Sequence, residues 1–153
     1  MIVLLTRLCL VALCGLRVAT IASTNAASNI VPRTGRSNQA TVITPNSLKP
    51  PQCASITVTN KISGAGTITG TVGNDLIFGS AGTDTVNAGG GNDCVVGGGG
   101  IDILNGEASG DVLIGGPGVD LLDGGGGGGD ICYGGPDSLA EVDTFTNCAT
   151  QFQ

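Results

Sequence analysis

The 153-residue chain has no histidine and no tryptophan, and only 3% of it is aromatic. Without histidine there is no Ser-His or Cys-His pair to activate a nucleophile. So few aromatics argue against an ordinary globular core. Basic residues stop at Lys61, and acidic residues do not begin until Asp75. The second half therefore carries all 12 carboxylates with no basic side chain beside them. Crowded like charges oppose a compact state, so an external cation is the natural counter-charge. An acidic chain with no basic patch also argues against a nucleic-acid partner. The apolar run Leu8 to Leu16 falls short of the roughly 20 residues that span a bilayer. No Asn-x-Ser/Thr sequon occurs, so N-glycosylation is not expected.

What is present begins with Arg7, the apolar run and small residues around Ala19 to Ala27. This order predicts a secretory signal over residues 1–27, cleaved after Ala22 or Ala26. Its removal discards Cys9 and Cys14 and leaves Cys53, Cys94, Cys132 and Cys148. An even count in a secreted chain favours two disulfides, with three pairings possible. Pro32, Pro45, Pro50 and Pro51 mark residues 28–52 as an extended linker or pro-segment, with Arg33 to Arg36 as a possible processing site.

The 28 glycines are not scattered. From Gly70 the chain stacks in nines: GTVGNDLIF, GSAGTDTVN, AGGGNDCVV, GGGGIDILN, GEASGDVLI and GGPGVDLLD. A seventh unit, residues 124–133, has one extra residue. An eighth starts at Gly134, and skipping Asp137 to Ala140 aligns Asp143 with the aspartates and Phe145 with the aliphatics. A degenerate unit, Lys61 to Thr69, precedes them and lacks the aspartate. Fixed register of this kind is foreign to a low-complexity glycine spacer.

The pattern G-G-x-G-x-D-x-U-x, with U a large aliphatic, resembles the haemolysin-type (RTX) calcium-binding nonapeptide repeat. The resemblance implies an all-β fold, a parallel β-roll or β-solenoid with two nonapeptides per coil; the four remaining cysteines add short disulfide-tied caps to that expectation. The expected segments are an N-terminal cap at 53–69, the calcium-binding roll at 70–133 and a C-terminal cap at 134–153. It further implies Ca²⁺ held between loops two motifs apart. One stack uses Asp75, Asp93, Asp111 and Asp130, and the other Asp84, Asp102, Asp120 and Asp143. Carbonyl oxygens of Gly70, Gly73, Gly79, Gly82, Gly89, Gly91, Gly98, Gly100, Gly116 and Gly118 complete the expected ligand set. Three gaps in each stack set a ceiling of six ions. The break Glu107-Ala108-Ser109 and the insertion put the sites they touch in question.

A two-motif coil demands that odd and even units differ. At the last strand position the odd units carry Phe78, Val96, Ile114 and Tyr133, and the even units carry Thr69, Asn87, Asn105 and Asp123. Strand side chains alternate faces, so one outer sheet face is apolar and the other largely polar. The apolar face includes Cys94 and calls for a cover or a partner. A Cys53–Cys94 bond is expected to draw Ala54 to Thr59 across it, with Cys132–Cys148 closing the other end. Self-association through this face is the rival.

Three function classes follow. Catalysis finds little support in the sequence: paired carboxylates could in principle cleave glycosides, but the aspartates are already explained as a metal lattice, and no room is expected for a separate catalytic region. A secreted calcium-binding module with a structural or interaction role, folding as Ca²⁺ binds, fits best. A calcium-dependent ice-binding solenoid is the alternative. It rests on Thr67, Thr69, Thr85 and Asn87, but the array lapses at Ile103 and Leu121.

Overall fold

The computed structural model describes residues 30–32, 40–136 and 142–153. The expected signal peptide, the processing site and Asp137 to Glu141 lie outside the described residues. The Pro-rich stretch carries a short antiparallel pair, β1 (Ile30–Pro32) with β2 (Ala40–Val42). One helical turn follows, α1 (Pro45–Leu48), with Pro at its first position, where the missing N–H costs nothing. Ser47 Oγ donates to the Thr44 carbonyl at 2.7 Å and accepts from Thr44 N–H at 3.1 Å, tying the turn's entry.

The repeats then build two parallel sheets. The first strands are β3 (Asn60–Ser63), β4 (Thr67–Thr69), β5 (Asp75–Phe78), β6 (Thr85–Asn87) and β7 (Cys94–Val96). They continue as β8 (Ile103–Asn105), β9 (Ala108–Ser109), β10 (Val112–Ile114), β11 (Leu121–Asp123) and β12 (Gly126–Gly127). The last are β13 (Ile131–Tyr133), β14 (Thr144–Thr146) and β15 (Thr150–Phe152). One sheet runs β15-β13-β10-β7-β5-β3 and the other β14-β11-β8-β6-β4, while β12 pairs β9 within a loop stack. Alternate units thus lie on opposite sheets, and each strand pairs with the unit two motifs away. Leu76 stands beside Cys94, and Thr85 beside Ile103. The fold is a β-solenoid of short strands, as the repeats imply.

Irregular units keep register. The extra residue of the seventh unit is absorbed before its strand, so Val112 still pairs Ile131. The four-residue insertion is absorbed too, with Leu122 beside Phe145. Two ends extend the ladder beyond the aspartate repeats: β3 joins at Asn60, and β15 adds Thr150 beside Ile131.

Because side chains alternate, every U residue points between the sheets. Ile68, Ile77, Val86, Val95, Leu104, Leu113, Leu122 and Cys132 form this buried spine, with Phe145 and Cys148 packed against it. The disulfide Cys132–Cys148 closes that end. A second cluster lies outside the first sheet, where Cys53, Ile56 and Val58 cover Leu76, Cys94 and Val112. The disulfide Cys53–Cys94 pins this strap. The strap is not a strand, so it leaves its own backbone needing partners. Asn46 supplies two, donating to the Val58 carbonyl at 2.7 Å and accepting Val58 N–H at 3.0 Å. Lys49 donates to the Ala54 and Ile56 carbonyls. At the far end of the same face, Phe152 stacks on Tyr133 with centroids 4.7 Å apart. A cover from the same chain, pinned as expected, therefore takes the first part of the apolar face.

Candidate metal centre

The loops between strands lie in two stacks, one along each edge of the roll. Each loop ends on an aspartate, and its carboxylate reaches back one coil. Asp93 Oδ1 accepts Asp75 N–H at 2.7 Å, Asp111 Oδ1 accepts Asp93 N–H at 2.8 Å, and Asp130 Oδ1 accepts Asp111 N–H at 2.9 Å. On the other edge, Asp102, Asp120 and Asp143 accept the N–H of Asp84, Asp102 and Asp120, each at 2.8 Å. All eight aspartates named from the sequence are buried, and they fall into the two columns expected.

One oxygen of each of the six accepting aspartates is thereby satisfied. The other is the informative one. Oδ2 of Asp93, Asp102, Asp111 and Asp130 is buried with no hydrogen-bond donor. Leaving a buried acceptor unpaired costs about 1–3 kcal/mol, and more when it is charged. Protonation is one response. Burial pushes Asp93 up to about 7, opposed by the Asp75 N–H bond and reinforced by the charges of Asp111 and Asp75. Burial likewise pushes Asp111 up to about 7 against the Asp93 N–H bond, with Asp130 adding repulsion. Asp102 is also raised, chiefly by burial. A bound cation is the other response.

The glycines leave space for one. A Cβ on Gly97 would lie 2.5 Å from Asp102 Oδ2 and 2.8 Å from the Gly115 carbonyl oxygen of the next coil. A Cβ on Gly106 would lie 2.5 Å from Asp111 Oδ2 and 2.7 Å from the Gly124 carbonyl. Each of these glycines thus keeps open a cradle between a carboxylate oxygen and a main-chain oxygen. Among the described residues no three acidic or thiol side chains converge on one point. Main-chain carbonyls would therefore have to supply much of any ion's ligand set. A donor set of oxygens alone, partly charged and partly neutral, fits a hard cation such as Ca²⁺.

Residues 62–93 and 96–131 match the RTX calcium-binding nonapeptide repeat, in four copies. This part of the chain carries RTX calcium-binding nonapeptide repeats. No curated protein and no solved structure matched the chain. The RTX repeats form a calcium-binding repeat module on a β-solenoid. The matched family is a calcium-binding repeat, not a catalytic one. The two disulfides point to an oxidising environment.

The expected carbonyl ligands divide in the RTX loops. The Gly89 carbonyl accepts Ala108 N–H at 3.1 Å, so it serves the loop ladder. Carbonyls of Gly98, Gly100 and Gly116 abut the glycines of the following coil. The carbonyls facing the cradles belong to the first residues of loops, among them Gly124 and Gly115, the latter also accepting Gly98 N–H at 3.0 Å. Those two were not among the expected ligands. The break at Glu107-Ala108-Ser109 does not disturb its column. Glu107 and Ser109 adopt φ of 71° and 88°, the left-handed form that glycine takes in neighbouring loops. Such positions cost a non-glycine residue on the order of 1–3 kcal/mol. Pairing of Ala108 with Gly126 and of Ser109 with Gly127 holds them there, and Asp111 stays in line. Thr71 and Ser80 passed unremarked in the sequence, although each stands where most units have glycine.

Proposed function

We propose that the chain is a secreted calcium-binding module whose RTX repeats fold as Ca²⁺ binds, with a structural or interaction role and no catalytic one. The observation that carries this reading is the set of buried, donor-less Oδ2 atoms on Asp93, Asp102, Asp111 and Asp130. A roll that buries stacked carboxylates without basic partners is costly until a cation enters. The core offers little to offset that, with one inward aliphatic per nine residues, and thin cores generally need staples. Here the staples are Ca²⁺ and the two disulfides.

On this reading the ions lie between successive loops of each stack, held by carboxylates of the two aspartate columns with main-chain carbonyls. Six is the ceiling. The bound ion supplies positive charge that removes the carboxylate repulsion and joins adjacent coils. Extracellular modules of this kind bind Ca²⁺ at about 10⁻⁴ to 10⁻³ M. Export through the general secretory route agrees with the disulfides and with the signal expected at residues 1–27.

Titration of the full chain with CaCl₂, followed by calorimetry and circular dichroism, tests both parts. Heat of binding should accompany a gain of β signal. Binding without any change in the spectrum would refute folding on binding, and no binding would refute the whole reading. The ice-binding alternative needs a regular polar lattice on the second sheet. Its outer column instead runs Thr67, Thr85, Ile103 and Leu121, with Ile103 and Leu121 both exposed. Absence of thermal hysteresis in Ca²⁺ is therefore expected.

A further inference from the structure

The loops of the two stacks are not equivalent. At the second loop position Gly89, Gly98, Glu107, Gly116 and Gly125 all adopt left-handed backbone, with φ of 102°, 117°, 71°, 112° and 85°. Thr71 and Ser80 occupy that same position and stay out of the left-handed region. A Cβ disfavours that region. Glu107 enters it because it is sandwiched: Ala108 N–H donates to the Gly89 carbonyl before it, and Gly126 N–H to the Glu107 carbonyl after it. The loops of Thr71 and Ser80 head their stacks, with no aspartate loop before them.

The consequence falls on the carboxylates. Thr71 N–H donates to Asp75 Oδ2 at 2.6 Å, and the Thr71 hydroxyl lies 2.9 Å from the same oxygen. Ser80 N–H donates to Asp84 Oδ2 at 2.6 Å. The other oxygens are served as well. Asn60 Nδ2 donates to Asp75 Oδ1 at 2.7 Å, and Gly66 N–H donates to Asp84 Oδ1. Both carboxylates are thus satisfied on both oxygens by the protein itself. Asp93, Asp102 and Asp111, equally buried, keep an Oδ2 that receives no donor. An amide hydrogen directed at a carboxylate takes up the lone pairs a cation needs and sets a positive dipole against it.

We propose that Thr71 and Ser80 stand in for calcium at Asp75 and Asp84. The coil spanning residues 70–87 is then a metal-free cap, and the ion sites begin at Asp93 and Asp102. This rests on the calcium reading above and narrows it. The cap also gives the growing stack a preformed first layer. Its carboxylates need no ion, and the strap pinned at Cys94 covers its outer face.

The test counts ions by calorimetric titration of the full chain with CaCl₂. Asp75→Asn and Asp84→Asn leave the count unchanged, whereas Asp93→Asn, Asp102→Asn and Asp111→Asn each remove an ion. The double variant Thr71→Gly with Ser80→Gly raises the count, and an unchanged count overturns the role of these two residues. Wild-type crystals grown in CaCl₂ make the test independent of variants that fail to fold. Anomalous scattering then places ions against Oδ2 of Asp93, Asp102 and Asp111, and none against Oδ2 of Asp75 or Asp84. An ion on either of the last two, or one lost with Asp75→Asn or Asp84→Asn, overturns the proposal while leaving the calcium reading intact. A wild-type chain that binds no Ca²⁺ overturns the calcium reading beneath it.

Discussion

Gly97→Ala fills an oxygen cradle without asking alanine to adopt a left-handed backbone. Gly97 is not in the left-handed region, so alanine adds no backbone strain there. Its methyl would lie 2.5 Å from Asp102 Oδ2 and 2.8 Å from the Gly115 carbonyl, which is the space a cation between those oxygens needs. The expected loss is therefore one ion. At about 10 mM Ca²⁺, some 10 to 100 times the Kd typical of extracellular sites, one site contributes about 1.4–2.7 kcal/mol. For a domain of this size that lowers Tm by about 6 to 20 °C. Gly82→Ala is the control: its methyl meets only Ser80 Oγ at 3.9 Å, and its φ is not left-handed. It should be neutral or stabilising by up to about 1 kcal/mol. Calorimetric ion counts and thermal melts in Ca²⁺ read both. Because Gly97→Ala and Asp102→Asn act on the same ion, the double variant should lose one ion and not two. A Gly97→Ala protein with the wild-type ion count and Tm would refute the cradle.

Acid should partly replace calcium. Asp93 and Asp111 have folded values raised to about 7 from 3.8, so they favour the metal-free fold most below about pH 4 and lose that contribution as pH rises through about 7. Asp84, lowered mainly by its Ser80 N–H bond, acts oppositely, but only below its ordinary range. In chelator, circular dichroism should thus report more β structure at about pH 5 than at about pH 8, and the reverse order would contradict the burial argument. Replacing Cys53 and Cys94 by serine opens a loop of 41 residues and should cost about 4 kcal/mol by chain entropy. It should also expose the face under the strap, which binding of a hydrophobic dye would report. Leu104→Ala empties a fully buried spine position and should cost about 2–5 kcal/mol, measured by denaturant melts in saturating Ca²⁺.

Much of this architecture was legible because it is periodic. A nine-residue repeat with an eighteen-residue variation in its last strand position names the sheets, their inner and outer faces, and the two aspartate columns. Cys94 on the apolar face even pointed to its partner, Cys53. The register of Phe145 was legible as well, since the interrupted unit realigns once four residues are skipped.

Sequence alone determined which residues lie one above another, because stacking is a matter of spacing and alternation. It did not determine which carboxylates keep an oxygen free. That choice depends on the backbone at the second loop residue, and so on the coils before and after it. Glu107 looked disruptive but is held left-handed between two neighbours, whereas Thr71 and Ser80 looked harmless yet turn their N–H groups onto Asp75 and Asp84. Tertiary structure decided this, since a residue with a Cβ takes the left-handed form only where the hydrogen bonds of adjacent coils hold it there.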